Sequence, residues 1–339
     1  MLKKHFPEHY ELLCRKGVYP YEWVDQGLPS MKSFYSSLNQ EGITENDYKH
    51  ATNVYNKLNC SSFKDYHLAY LKTDVLLLTD IFEKFRKVCM EYYKLDPTNY
   101  ISSPGLAWDA MLLKTGIELD LITNLEILNL IEKMKRGGLC YVGSKRYVKA
   151  NNKYIEGFDI NQPSNFLMYW DANNLYGWAM SQVLPYKNIQ FDTKVKLKNI
   201  LNTADNSKTG YIVECDLHFP EHLHDKFKEY PPAPENLTPN IEWFSDFQKD
   251  LGKKLNVINK NDRYTGTNKL IPHLMDHNNY VLHYRNLKFL VSLGVEITNI
   301  HKVIRFEQKP WLKPYIDFNT KKRKEAKNEF EKRLFQINE

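Results

Sequence analysis

The sequence has few cysteines and no long apolar runs, and these absences exclude several classes of protein. Five cysteines are spread over 339 residues without a Cys-x-x-Cys pair, so neither a disulfide framework nor a zinc ribbon is predicted. No secretory signal and no apolar run of membrane-spanning length is present. The sequence therefore predicts a soluble, intracellular protein without a membrane partner.

The sequence also has only a small excess of positive over negative charge. The 47 Lys and Arg residues and 41 Asp and Glu residues give a net charge of +6, which permits binding to a polyanion without requiring it. Eight basic and four acidic residues fall within positions 313–333, so much of the surplus lies near the C-terminus. A hydrophobic content of 42% is sufficient for the core of a globular protein.

An apolar run that ends on a carboxylate is the most informative stretch. Residues 166–170 are all apolar or aromatic and predict a buried strand, and Asp171 follows them. Asn173 and Asn174 then predict a turn, and residues 175–180 a short helix. A carboxylate at the end of a core strand can hold a divalent metal ion and leave backbone amides for a phosphate. The alternative interpretation is a turn aspartate.

Residues 66–93 have the clearest amphipathic pattern and predict a long helix. Apolar residues recur at alternating spacings of four and three, which places them on one face. Asp74 falls within this face, with Tyr70 one turn before it. A lone buried carboxylate is costly, so Asp74 needs a metal ion, a basic partner or several hydrogen-bond donors. The alternative is a carboxylate that caps a neighbouring element or pairs with a base. The predicted face comprises Leu71, Val75, Leu78, Phe82, Phe85, Cys89 and Tyr92.

Basic and aromatic residues alternate in residues 133–149, around a pair of glycines. Gly137 and Gly138 allow the backbone to approach a ligand closely. Arg136 and Tyr141 beside them suit a nucleic-acid backbone. The alternative is a glycine helix cap followed by a solvated basic strand.

Two regions nearer the C-terminus carry further candidates. Cys215 and the histidines at 218, 222 and 224 suggest zinc, but they lack a second close pair, and a strand end explains them equally well. A strand, a helix ended by Gly294 and further strands are predicted within residues 280–306. Arg323 and Lys327 lie one turn apart on a predicted final helix, for which a simply solvated surface is the alternative.

Residues 171–177, Asp-Ala-Asn-Asn-Leu-Tyr-Gly, resemble the first polymerase motif, Asp-x-x-Ser-Leu-Tyr-Pro, of family B DNA polymerases. The form is that of the protein-primed enzymes of the Polinton/Maverick and linear-plasmid branch. Tyr70 and Asp74 match the third exonuclease motif, Tyr-x-x-x-Asp. The two glycines after Arg136, and residues 315–320 before a basic helix, follow in the order of the family. The resemblance covers nearly the whole chain.

The resemblance implies a mixed α/β (α+β) fold in six parts. These are, in order, the C-terminal part of an RNase H-like 3'-5' exonuclease domain (1–98), a connector with the Arg-Gly-Gly motif (99–158), the palm with the first polymerase motif (159–185), an insertion that resembles the priming-protein contact region (186–280), the rest of the palm (281–318) and the start of the fingers helix (319–339).

The resemblance also implies a DNA-directed DNA polymerase that uses two Mg²⁺ ions. Asp171 would bind both ions, with help from the Ala172 carbonyl. The Leu175 amide and the Tyr176 ring would hold the nucleotide, and the ring would reject a ribose 2'-hydroxyl. Two basic residues would bind the triphosphate, Arg323 and Lys327.

The exonuclease and DNA contacts follow in the same way. Asp74 would bind a metal ion, and Tyr70 would orient the attacking water. The implied partners are template and primer DNA, deoxynucleoside triphosphates and a terminal priming protein. The implied DNA contacts are Arg136, Gly137, Gly138 and Tyr141.

The sequence departs from the family pattern at several points. Lys135 stands where the family has a tyrosine before the two glycines. No Asp-x-Glu occurs, so proofreading is not predicted. No Asp-x-Asp occurs either, which leaves a single polymerase carboxylate, and one carboxylate binds Mg²⁺ weakly. We therefore expect a fragment that lacks both ends and is inactive alone. The alternative is a non-catalytic DNA-binding remnant of a mobile element.

Overall fold

The computed structural model describes residues 1–24, 27–141, 143 and 147–337, with side chains up to residue 335. Unit 1 comprises Met1–Lys114 and Asn319–Glu339, and unit 2 comprises Thr115–Phe318. The predicted mixed α/β fold class is confirmed. Among the described residues, none of the helices combines the length and the apolar character that a membrane-spanning helix needs.

Helices and strands are unevenly divided, since all the strands found among the described residues lie in unit 2. The α-helices are α1 (Leu2–His5), α2 (Tyr10–Leu13), α3 (Glu45–Lys57), α4 (Phe63–Tyr92), α5 (Ser103–Thr115), α6 (Leu125–Met134), α7 (Leu175–Met180), α8 (Leu197–Asn202), α9 (Glu221–Phe227), α10 (Asp246–Lys254), α11 (Tyr284–Ser292), α12 (Lys313–Glu325) and α13 (Glu329–Ile337). The strands are β1 (Leu184–Phe191), β2 (Thr209–His218), β3 (Glu235–Leu237), β4 (Lys269–Ile271), β5 (His277–His283) and β6 (Glu296–Lys309).

An antiparallel sheet with the strand order β1-β6-β2-β5 forms the centre of unit 2. Successive residues of a strand point to opposite faces. Ile212 of β2 therefore packs in one core cluster with Leu130 of α6, whereas Val213 packs in another with Leu287 of α11. Both faces of the sheet are covered by helices. A separate pair, β3 and β4, lies in the region predicted to be an insertion.

The strand, helix and strand predicted within residues 280–306 are confirmed as β5, α11 and β6. Gly294 follows α11 with φ +100°, a conformation that glycine adopts without steric cost. A Cβ there would also lie 3.3 Å from the Leu223 side chain. This glycine therefore lets the chain leave α11 and enter β6.

The long helix predicted from residues 66–93 is confirmed as α4, but Cys89 is the only residue of the predicted face that is buried. Ser62 and Asp65 form a capping box at its start. The buried residues are Phe63, Tyr66, Thr73 and Cys89. On the predicted face, the exposed fractions are 47% for Leu71, 53% for Val75 and 66% for Leu78.

Asp74 is exposed as well, so the prediction that it lies in a buried face is wrong. The helix is apolar on more than one side, and periodicity alone does not select the side that other segments cover. In the structure, the N-terminal segment packs against the side of α4 that is buried. Leu2 is fully buried beside Leu76 and Leu77, and its amide donates to the Asp80 carboxylate at 2.9 Å.

Residues 166–170 do not form the buried strand predicted for them. They are irregular, and the exposed fractions run from 58% at Phe166 to 94% at Tyr169. A strand needs a neighbour that pairs with its backbone N–H and C=O groups. None of the strands in the described part of the chain pairs with this run. The prediction is wrong because apolar composition supplies no pairing partner.

The predicted final helix is interrupted at residues 326–328. α12 ends at Glu325, and α13 begins at Glu329. The Asn328 side chain accepts a hydrogen bond from the Glu331 amide at 3.0 Å, and the Glu331 carboxylate accepts one from the Lys327 amide at 3.0 Å. This Asn-x-x-Glu spacing is a helix-start signal. Arg323 and Lys327 therefore lie in different elements, contrary to the prediction.

Candidate functional site

The turn after Asp171 is held by one asparagine. Asn174 has φ 51° and ψ 47°, a left-handed conformation in which asparagine is enriched. Its side-chain oxygen accepts a hydrogen bond from the Gly177 amide at 3.2 Å and so caps α7. A Cβ on Gly177 would lie 2.4 to 2.7 Å from the Asn174 side chain. The predicted turn and short helix are confirmed, and the cap requires glycine at 177.

Four candidate residues around this turn are open to solvent. Tyr176 is 82% exposed and Leu175 52% exposed, and Asp171 and Ala172 are exposed too. Within the part of the chain that the structure describes, the Asp171 carboxylate has no hydrogen bond or ion pair. One short segment therefore presents an unpaired carboxylate and an aromatic ring.

The residues around Asp171 do not complete a Mg²⁺ site. Mg²⁺ requires near-octahedral oxygen coordination and is usually held by one or two carboxylates together with substrate phosphates. Among the described residues, Asp171 belongs to no group of three His, Cys, Asp or Glu donors close enough to share an ion. Asp171 and the Ala172 carbonyl can therefore supply only part of such a site.

A cavity of about 600 Å³ lies beside α7. Its lining includes Trp178, His283 and Arg285. Burial, followed by the charge of Arg285, lowers the pKa of His283 to about 4, so this imidazole is neutral at neutral pH. Its Nδ1 accepts a hydrogen bond from the Arg285 amide at 3.4 Å, at the start of α11. No local sequence signal predicts this cavity, because its lining residues come from distant segments.

In unit 1, two other tyrosines hold Tyr70. Its ring stacks on Tyr19 with the centroids 4.7 Å apart, and its hydroxyl lies 2.6 Å from the Tyr21 hydroxyl. Burial, followed by that hydrogen bond, raises the pKa of Tyr70. A Cβ on Gly17 would meet the Tyr70 ring at 2.8 Å, so the chain crosses the ring at a glycine. Asp74, one turn later on α4, faces solvent.

The Arg136 guanidinium packs inside unit 2. Its Cζ lies 3.9 Å from the centroid of the Tyr280 ring. Nη2 donates to the Val281 carbonyl at 2.9 Å and Nη1 to the Met134 carbonyl at 3.1 Å. Burial lowers the pKa of Arg136 from its ordinary value. The guanidinium therefore has intramolecular partners, and a contact of Arg136 with DNA stays a prediction.

The residues after Arg136 are accessible. Gly137 and Gly138 have open space where a Cβ would lie, and Tyr141 is 38% exposed. Gly138 and Tyr141 line a cavity of about 640 Å³ together with Trp243 and Lys269. Aromatic rings and a basic group are the features that bind bases and backbone in single-stranded nucleic acid.

Arg323 and Lys327 lie at the C-terminal end of unit 1. Arg323 is half-buried in α12, and Lys327 is exposed in the turn that follows. The segment of residues 171–177 belongs to unit 2. The role of both basic residues in triphosphate binding stays a prediction.

The cysteine and histidines within residues 215–224 do not form a shared donor group among the described residues. Cys215 is buried in β2, and burial raises the pKa of its thiol to about 12. His218 Nδ1 lies 2.7 Å from the Asp276 carboxylate, and His224 Nε2 lies 2.8 Å from the Phe219 carbonyl. Because β2 ends at His218, the strand-end interpretation of this stretch is confirmed.

Comparison with known proteins gives one family and one group of similar structures. The family described as DNA polymerase type B, organellar and viral, matches residues 4–337. No curated protein matches the chain. An orthorhombic crystal form of phi29 DNA polymerase is 12% identical with a TM-score of 0.44, covering 93% of this chain and 43% of that chain.

Two phi29 DNA polymerase complexes are also similar. The complex with primer-template DNA is 14% identical with a TM-score of 0.42, covering 80% of this chain and 38% of that chain. The complex with primer-template DNA and incoming nucleotide substrates is 12% identical with a TM-score of 0.39, covering 96% and 46%. The chain thus spans less than half the length of these structures.

Proposed function

Because the chain belongs to the organellar and viral type B DNA polymerases, we propose that its residues supply the nucleotide-binding part of a DNA-directed DNA polymerase. The family predicted from the motifs is confirmed, and the Polinton/Maverick branch stays a prediction. The observation that carries the proposal is the capped turn after Asp171. An unpaired carboxylate and a largely exposed tyrosine ring stand there together.

Each exposed group of this turn has a proposed role in nucleotidyl transfer, in which a primer 3'-hydroxyl attacks the α-phosphate and pyrophosphate leaves. DNA polymerases of this family use divalent metal ions. We assign Mg²⁺ to Asp171 and the Ala172 carbonyl because both donors are oxygens. The Leu175 amide donates to a phosphate, and the Tyr176 ring packs against the sugar. Two residues are assigned to the triphosphate, Arg323 and Lys327.

These 339 residues by themselves are not expected to extend a primer. No Asp-x-Asp occurs in the sequence, and Asp171 gathers no further carboxylates among the described residues. One carboxylate holds Mg²⁺ too weakly to align two reacting groups. Activity would therefore need a second carboxylate beside Asp171, which none of its described neighbours supplies.

The remaining candidates are assigned to DNA and protein partners. Template and primer DNA are proposed to pass over Gly137, Gly138 and Tyr141, at the cavity that contains Trp243. A terminal priming protein is proposed to contact residues 186–280. Two residues are assigned to the exonuclease part, Asp74 as a metal ligand and Tyr70 as its neighbour.

The test is photo-cross-linking of a reactive deoxynucleoside triphosphate in the presence of primer-template DNA and Mg²⁺. We expect labelling within residues 171–177. Tyr176→Ala and Asp171→Asn should abolish this labelling, since they remove the ring and the carboxylate. Glu156→Gln is the matched control, because it neutralises an exposed carboxylate of the same unit. Labelling that maps elsewhere, or that both variants retain, would contradict the proposal.

A second candidate is a DNA-binding module without chemistry. The observation that favours it is the isolation of Asp171 from other carboxylates. Such a module binds DNA but gives no nucleotide labelling above that of the Tyr176→Ala variant. Anisotropy measurements with labelled DNA confirm DNA binding in the same samples, and the presence or absence of nucleotide labelling then distinguishes the two functions.

A further inference from the structure

Three side chains of unit 2 bring metal-binding atoms together far from Asp171 in the sequence. Glu235, His273 and His277 each offer one donor atom, and these atoms all lie within 4.8 Å of one another. In the part of the chain that the structure describes, no other group of three donors is this close. His277 is fully buried, and His273 and Glu235 are partly buried. The sequence signal that could have indicated this group is the pair of histidines four positions apart, His273 and His277.

Both imidazole rings leave one nitrogen unsatisfied. His277 Nε2 lies 2.7 Å from the Ala233 carbonyl, and a carbonyl only accepts, so Nε2 carries the hydrogen and Nδ1 has the lone pair. His273 Nε2 lies 3.2 Å from the Glu235 carboxylate. The Nδ1 atoms of both rings are buried without a hydrogen-bond partner. Unsatisfied buried polar atoms are costly and rare, and two in neighbouring rings point to a ligand.

We propose that Glu235, His273 and His277 bind a divalent ion of the zinc type. Two imidazole nitrogens and one carboxylate are a donor set that suits Zn²⁺, with a fourth position left for water. Mg²⁺ and Ca²⁺ prefer oxygen donors, so this site is distinct in chemistry from the one proposed at Asp171. The hydrogen bond from His277 Nε2 to a backbone carbonyl is the usual second contact of a metal-binding histidine.

The surroundings of His277 are compatible with metal binding. Two aromatic rings pack against the His277 ring, with centroid distances of 5.5 Å to Phe219 and 5.1 Å to Tyr280. Glu235 supplies a negative charge to the ion.

Binding requires a small rearrangement of the two rings. They stack with centroids 4.2 Å apart and an angle of 12°, whereas a metal ion lies in the plane of each imidazole that binds it. Tetrahedral bonds of about 2.0 Å place the ligand atoms roughly 3.3 Å apart. The His273 ring, the more exposed of the two, therefore turns out of the stack when the ion binds.

The positions of the three residues would let the ion connect separate elements of unit 2. Glu235 begins β3, His273 follows β4, and His277 begins β5 of the four-stranded sheet. An ion held by all three joins the β3–β4 pair to that sheet. We therefore expect Zn²⁺ to stabilise this part of unit 2, since a ligand that binds only the folded state raises the melting temperature.

The test is titration of the metal-free full chain with Zn²⁺ in competition with a chromogenic chelator. We expect one ion per chain. His277→Gln and Glu235→Gln should each weaken binding by about tenfold or more, and millimolar Mg²⁺ should not displace the ion. The matched controls His222→Gln and Glu221→Gln alter exposed residues of α9 in the same unit and should leave the affinity unchanged.

Two further measurements keep the result decisive if His277→Gln fails to fold. Circular dichroism identifies folded variants, and Glu235→Gln, at a partly exposed position, then decides the question. The melting temperature of the wild-type chain should rise with Zn²⁺, and that of Glu235→Gln should not. Absence of stoichiometric binding, or equal affinity in the Glu235→Gln and Glu221→Gln variants, would overturn the proposal.

Discussion

Replacing Arg136 by methionine tests whether its guanidinium holds unit 2 together or contacts DNA. Methionine keeps much of the apolar stem but removes the charge and the donors. In the structure, the guanidinium lies 3.9 Å from the Tyr280 ring centroid and donates to the carbonyls of Val281 and Met134 at 2.9 and 3.1 Å. The variant therefore loses two charge-assisted hydrogen bonds and one cation–π contact.

The expected loss of unfolding free energy is about 2 to 3 kcal/mol. Each hydrogen bond from a charged donor contributes roughly 1.5 kcal/mol, and the cation–π contact adds about 0.5 to 1 kcal/mol. The variant also avoids the cost of burying the guanidinium, which offsets part of this sum. The control, Lys135→Met, removes an exposed lysine that pairs with Glu132 at 2.6 Å. Such surface pairs contribute little to stability.

Urea denaturation followed by circular dichroism gives the stability, and anisotropy over a range of salt concentrations gives the DNA affinity. Our expectation is a clear loss of stability for Arg136→Met and almost none for Lys135→Met. If Arg136 contacts a DNA phosphate, the substitution would instead weaken DNA binding and reduce the slope of its salt dependence by about one unit. If Arg136→Met is as stable as Lys135→Met and loses DNA affinity, the anchoring role is refuted.

Two further predictions concern the surroundings of α7. Gly177→Ala should break the Asn174 cap, because the new Cβ would lie 2.4 to 2.7 Å from that side chain. Faster hydrogen exchange of residues 174–180 is the measurement, with Gly137→Ala, where space is open, as the control. For His283, burial lowers the pKa from 6.5 to about 4, so the unfolded chain binds an extra proton between these values. Stability should therefore fall by roughly 3 kcal/mol as the pH drops through this window. His283→Gln should flatten this dependence in urea titrations, and unchanged pH dependence would contradict the assignment.

Local signals were sufficient for several of the helices and strands. Ser62 and Asp65 start α4, Asn174 starts α7 and Gly294 follows α11, and each of these signals acts over a few positions along the chain. The motif around Asp171 likewise indicated the family, because it is contiguous. The Asn328 cap was equally local, and the break between α12 and α13 could have been predicted from it.

The arrangement of side chains depended on contacts between distant segments. α4 has several apolar stripes, and the packing of the N-terminal segments and α3 decides which one is buried. Residues 166–170 have the composition of a strand, yet a strand forms only where another backbone pairs with it. Arg136 meets Tyr280, and Glu235 meets His273 and His277, only once the sheet has formed. Burial and donor geometry are properties of the folded chain, which is why neighbouring residues alone did not reveal them.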